Sequence, residues 1–171
     1  MWKNIYLKMT YKQKFRATDE LIGSMIKLMS TLDQDTQSKF TGFFSVSAIT
    51  VYELAIKEII IDYAEHCHCD YGYFMGNHLS RLNGRIRIED LKKGVKNLGD
   101  RYENRFKNRL EKEKRNIYGK YEKDLCNSYN NLIQCRHSYV HAGNINLTFR
   151  ECIDDYMIGK HVIKCLYLAL K

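Results

Sequence analysis

Arg136, His137 and His141 stand close together in the stretch QCRHSYVHAGN, at the end of an apolar run with helical period. A guanidinium keeps its charge at any working pH and offers paired N–H donors that match two phosphate oxygens. An imidazole titrates near neutrality and moves protons in reactions. Together they suit a phosphodiester. Arg136 would clamp the nonbridging oxygens and favour the charged transition state, while a histidine moves a proton to or from a ribose 2′-hydroxyl or a leaving 5′-oxygen. With the 2′-hydroxyl as nucleophile, no metal is required. The structural reading of the same residues is plainer: a cation beside a helix C-terminus is stabilising by itself.

Arg136 and His141 are five residues apart, which places them ~140° apart on an unbroken helix. His137 and His141 share a face. Gly143 and the polar connector after it predict that the helix unwinds just past Val140. His141 would then sit at a frayed end and swing towards the Arg136 side chain.

The elements that must position these groups read as helices. The chain has no proline and ten glycines in 171 residues, so the commonest helix breaker is missing. A hydrophobic content of 44% supplies a real core for one domain. Residues 18–32 predict a helix with Thr18 as N-cap. The most apolar segment, 43–65, predicts the central core helix, with Ile49, Ile56, Ile60 and Tyr63 on one stripe. Glu53 falls on that stripe, where a carboxylate is costly unless it snorkels to an edge or finds a partner. Either a Tyr hydroxyl or water bonds it in the core, or its helix packs on that of Arg136 and its carboxylate approaches the motif.

From His66 to Gly84 the period is lost, and three glycines point to an irregular insertion around 66–86. A short helix over 88–98 is closed by Gly99. The next places Tyr102, Phe106 and Leu110 on one stripe, with Arg101, Arg105 and Arg109 on another beside it. Helices over 121–140 and 149–170 follow, the last behind a Thr148/Glu151 capping box. It should bury Ile153, Met157, Ile158, Val162, Leu166 and Leu168. The sum is an all-α up-and-down bundle of five or six helices.

Formal net charge is +8, and fifteen Lys/Arg against eight Asp/Glu fall between Arg81 and Asp124. Nearly all the excess lies there, as a footprint for a polyanion or as a solvated helix face. The opening twenty residues scatter Lys3, Lys8, Lys12 and Lys14 through any apolar run, so no signal peptide is expected. No stretch has the roughly 18 apolar residues of a membrane span, and the chain reads as cytosolic, with six free cysteines. The stretch EHCHC (His66, Cys67, His68, Cys69) invites a metal. A tetrahedral site needs a second ligand pair brought to the first, so the stretch is read as a helix end entering a loop. No metal or other cofactor is expected.

The order of apolar helix, CRHSYVHAG, polar connector, capping box and final apolar helix resembles the HEPN superfamily of helical-bundle ribonucleases. Their signature is an arginine, about four to six residues and a histidine, with a polar residue directly after the arginine. Here these are Arg136, His141 and, in the polar place, His137, followed by the small pair Ala142-Gly143. ITVYELAIKEIIIDY resembles their early core helix, in which an acid interrupts the apolar run. The likeness covers about residues 40–170 of a chain read as one HEPN-like domain over 1–171.

The resemblance implies a homodimer that brings two motifs into one cleft. It also implies metal-independent endoribonuclease activity, leaving 2′,3′-cyclic phosphate and 5′-hydroxyl ends. Such domains occur in bacterial toxin–antitoxin and phage-defence systems, where an antitoxin or another regulatory protein is a further partner. Arg136 would bind the scissile phosphate, His141 would do acid/base work and His137 would assist. In these domains the residue after the arginine is more often Asn, so His137 leaves open which histidine is base and which acid. Beside this, Glu53 is read as a supporting residue, and Arg101, Arg105 and Arg109 as holding the RNA backbone. An inactive HEPN-type module for RNA binding or dimerisation is the other reading, as is a helical RNA-binding adaptor.

Overall fold

The computed structural model describes residues 10–80 and 84–171, and every regular element among them is helical. Lys3 and Lys8 of the opening segment, and Arg81 where the basic surplus begins, lie outside the described residues. The helices are α1 (Thr10–Lys14), α2 (Arg16–Met29), α3 (Gln34–Cys67), α4 (Cys69–Ser80), α5 (Ile88–Leu98), α6 (Asp100–Tyr121), α7 (Leu125–Ala142) and α8 (Phe149–Leu170). None is long and apolar enough to cross a membrane.

α3 is the axis of the bundle. Asp33 caps it by accepting the Thr36 N–H at 3.0 Å, so it begins well ahead of the apolar run. Phe44, Ala48, Val51, Tyr52, Ala55 and Ile59 are buried on several sides of it, because α1, α2, α4, α7 and α8 all pack on it. A pillar of three buried tyrosines ties α3 to α7 and α8. Tyr52 stacks on Tyr129 and Tyr156, with ring centroids 5.4 and 5.7 Å apart. Its hydroxyl donates to the Tyr156 carbonyl at 2.6 Å. That hydroxyl comes so close to Gly159 that any Cβ there would collide with it.

Four expectations need correction. The irregular insertion around 66–86 is mostly helix: α3 runs to Cys67, His68 is extended (φ −166°, ψ 143°) and α4 starts at once. Gly72 does not break α4. It is the contact that lets α4 fold back, since a Cβ there would strike the Glu65 side chain on α3. Only the described stretch from Gly84 to Arg87 fits the irregular expectation. Thr18 is not an N-cap but lies inside α2, buried, its hydroxyl 3.0 Å from that of Ser47. Met157 is 49% exposed while Ile153, Ile158, Val162 and Leu166 are buried as expected. Among the described residues the count is eight and not five or six, the added two being the five-residue α1 and the glycine-containing α4.

Candidate functional site

α7 carries the motif, and its two ends are fixed locally. Asp124 caps the start by accepting the Asn127 N–H at 2.8 Å. At the other end Gly143 is left-handed (φ 66°), and the Gly143 and Asn144 N–H groups return to the Tyr139 and Ser138 carbonyls. The helix therefore runs through His141 and Ala142, and does not unwind past Val140. Glycine accepts the left-handed cap without strain, so helical hydrogen bonding continues up to it.

This decides how the three groups meet. Arg136 and His141 keep the ~140° separation of an intact helix. His137 and His141 lie one turn apart on the same face, with ring centroids 4.4 Å apart and planes tilted by 49°. Both histidines are exposed and Arg136 is half-buried. Leu125, Tyr129, Leu132 and Cys135 form the buried face of α7. Further along, the Tyr139 ring packs on Gly42 of α3 so tightly that a Cβ there would overlap it, and it meets Phe43 edge-on at 5.6 Å. The motif thus rests on the central helix through an aromatic ring seated on a glycine.

Arg136 and His137 open into a cavity of about 100 Å³ shared with Glu53, Gly84, Ile86 and Arg87. Glu53 is half-buried, and its Oε1 accepts the Gly84 N–H at 3.1 Å. Among the described residues it makes no ion pair with Arg136. The carboxylate is therefore on the cavity wall, bonded to backbone, and its partner is neither a Tyr hydroxyl nor the guanidinium.

Arg87 is the residue that sequence reasoning passed over. It belongs to the short non-helical stretch Arg85-Ile86-Arg87, which is pinned at two points. Buried Tyr129 donates its hydroxyl to the Ile86 carbonyl at 2.7 Å, and Glu53 holds Gly84. Burial, with the Glu53 and Asp90 charges behind it, pushes the Tyr129 phenol far up, so it stays a donor. Ile86 is buried. Arg87 then lines the Arg136 cavity, while Arg85 lines a larger one beyond Ile86. The alternation in GRIRIE was the available signal: every second residue apolar, with an arginine between.

Arg101, Arg105 and Arg109 are exposed on α6, as their spacing predicts, and none lines the Arg136 cavity. Arg101 donates to the Tyr102 hydroxyl, with its guanidinium 4.5 Å from that ring. The cations that adjoin the motif are others. A depression of about 390 Å³ shares Arg87, Ile133 and Gln134 with the Arg136 cavity and is lined further out by Lys92 and Lys114. His137 and His141 also have the spacing of a two-histidine metal clamp. Among the described residues, however, the one cluster of three ligand side chains within 4.8 Å of one another is His68, Cys69 and Asp70, all exposed and at the α3–α4 turn.

No curated protein and no solved structure matches the chain. The family model described as RiboL-PSP-HEPN matches residues 13–171, nearly its whole length. HEPN domains are helical bundles of ribonuclease-type or RNA-binding function, which is the functional class this match supports. An all-helical bundle with Arg136, His137 and His141 at the exposed end of α7, matched over residues 13–171, makes the chain a member of the RiboL-PSP-HEPN family and so of the HEPN superfamily.

Proposed function

We propose that the protein is a metal-independent endoribonuclease. The observation that carries this is the cavity lined together by Arg136, Arg87 and His137, with the His141 ring centroid 4.4 Å from that of His137. Two guanidiniums beside one phosphate offset its charge as the pentacoordinate transition state gains negative charge. One imidazole takes the proton of the ribose 2′-hydroxyl as that oxygen bonds to phosphorus. Another gives a proton to the 5′-oxygen as the P–O5′ bond breaks. The products are a 2′,3′-cyclic phosphate and a 5′-hydroxyl. Arg136 and Arg87 hold the phosphate, His141 and His137 carry the protons, and Glu53 fixes the backbone that presents Arg87. Lys92 and Lys114, and the arginines of α6, hold flanking phosphates without reading sequence.

The protein acts as a homodimer with the two motifs facing one cleft, and its setting is a toxin–antitoxin or phage-defence system with a restraining partner. A second reading, an RNA-binding domain without chemistry, is favoured by one observation: the intact helix holds Arg136 and His141 on different faces. Incubation of the purified protein with labelled RNA and a metal chelator separates the two. Cleavage ending in cyclic phosphate is expected; tight binding with intact RNA would establish the second reading.

A further inference from the structure

A cavity of about 320 Å³ with an apolar floor lies between α3, α4 and α5, at the lower edge of the ~300–1,000 Å³ of small-molecule pockets. It adjoins the Arg136 cavity, since Glu53 and Ile86 line both. Its floor is aliphatic, with Ile56, Ile60, Leu91 and Val95. Its mouth is aromatic and basic. Tyr71, Phe74 and His78 come from α4, three and four residues apart and so along one face. Phe74 is 60% exposed, and its ring lies parallel to that of His78, at 11° with centroids 6.0 Å apart. Lys57, Arg85 and Lys93 line it as well, together with Glu53 and Asp90.

An exposed aromatic and an apolar floor, with cations and carboxylates on the same lining, match one kind of occupant. Unpaired bases stack on aromatic rings, their phosphates pair with Arg and Lys, and their edges hydrogen-bond to side chains. Among the bases, guanine offers two adjacent N–H donors, at N1 and the 2-amino group, to a single carboxylate. We infer that this cavity is a nucleobase pocket that takes an unpaired guanine next to the phosphate held at Arg136. The inference rests on the RNA reading above and adds a sequence preference to it. Arg85 and Arg87, on either side of Ile86, then serve successive phosphates.

The test measures binding apart from chemistry. A fluorescent 2′-fluoro-oligouridine, which lacks the nucleophilic hydroxyl, is compared with the same oligomer carrying one guanosine or one inosine. Wild-type protein should bind the guanosine oligomer about tenfold more tightly, within the range of a single stacked base; inosine, without the 2-amino group, should fall between. Phe74→Ala removes the exposed ring. Gly94→Met fills the cavity: Gly94 lines it and a Cβ there meets nothing within 4 Å, and the change raises helix propensity in α5. Each variant should erase the preference and leave the salt dependence of binding as it was. Equal affinities in the wild type, or a preference that survives both changes, overturns the pocket. Cleavage of unmodified RNA is scored separately. A guanine preference without cleavage sinks the ribonuclease reading and keeps the pocket, and cleavage without preference does the reverse.

Discussion

Replacing Arg136 by alanine removes a preorganised donor from the developing charge, which typically costs on the order of 10²–10³ in rate. The bundle should stay folded, because α7 is held by Leu125, Tyr129, Leu132 and Cys135 and not by the guanidinium. His141→Ala should be as severe, His137→Ala milder, and Arg136→Ala with His141→Ala far less than additive, since the groups act as a unit. Single-turnover cleavage of labelled RNA checks all four. A wild-type rate for Arg136→Ala would make the constellation decorative, and equal losses at both histidines would reassign the proton transfers. A different prediction concerns Asp155, which is buried on α8. Burial raises its carboxyl above the ordinary 3.8, opposed by hydrogen bonds from Ser128 and Asn131. A pKa raised in the folded state gives a contribution present below the unfolded value and lost as pH rises through the folded one. At neutral pH the charged form therefore costs stability. Asp155→Asn should raise the melting temperature at pH 7, and the gain should vanish as pH falls below the ordinary carboxylate range. A lower melting temperature at pH 7 would mean that the hydrogen bonds outweigh desolvation.

The helices differ in how plainly their residues announce them. α5 has acids in its first turn and Gly99 behind it, and α8 has its capping box, so both were legible to within a residue. α4 was not, because its glycines read as breakers while one of them is a packing contact made only in three dimensions. The end of α7 was misread for a related reason: Gly143 marks where the helix is capped, not where it starts to fray. Arg136, His137 and His141 stood out as candidates through their types and the family resemblance, but the placing of Arg87 on the same cavity as Arg136 depends on the Tyr129–Ile86 bond, between residues 43 apart in the chain. Seating the motif on α3 is an element-scale property with its own test. Gly42→Ala puts a Cβ inside the space of the Tyr139 ring. Overpacking of this kind costs about 1–3 kcal/mol, or roughly 2–12 °C in a chain of this size. Tyr139 lies between the two histidines, so cleavage at a temperature where the variant is folded should fall as well. Unaltered melting and cleavage would show that α7 does not depend on this contact.

At the scale of the whole molecule, the proposed ribonuclease calls for a field that holds RNA and for a second copy of the chain. On the proposed reading the exposed arginines of α6 hold flanking phosphates, so neutralising Arg101, Arg105 and Arg109 together should weaken RNA binding and flatten its salt dependence. For single strands each phosphate contact contributes ~0.7 to the slope, giving a change of about two; an unaltered slope would place the RNA elsewhere. Symmetry follows from in-line displacement. The attacking 2′-oxygen and the leaving 5′-oxygen lie on opposite sides of the phosphorus, so base and acid must flank it. His137 and His141 lie on one face of α7 with their rings in contact, so both would reach a bound phosphate from the same side. A second copy of the chain would supply histidines on the other. Beside the motif, Phe43 and Val140 are 62% and 50% exposed, an apolar patch continuous with the histidine face through Tyr139. Phe43→Glu with Val140→Glu places charge on that patch without entering the core. Sedimentation should show a dimer for the wild type and a monomer for the double variant. Cleavage should be lost, while helix content and melting temperature stay close to those of wild type. A double variant that remains dimeric would move the interface elsewhere, and a monomer that cleaves at the wild-type rate would mean that one chain's histidines serve both oxygens.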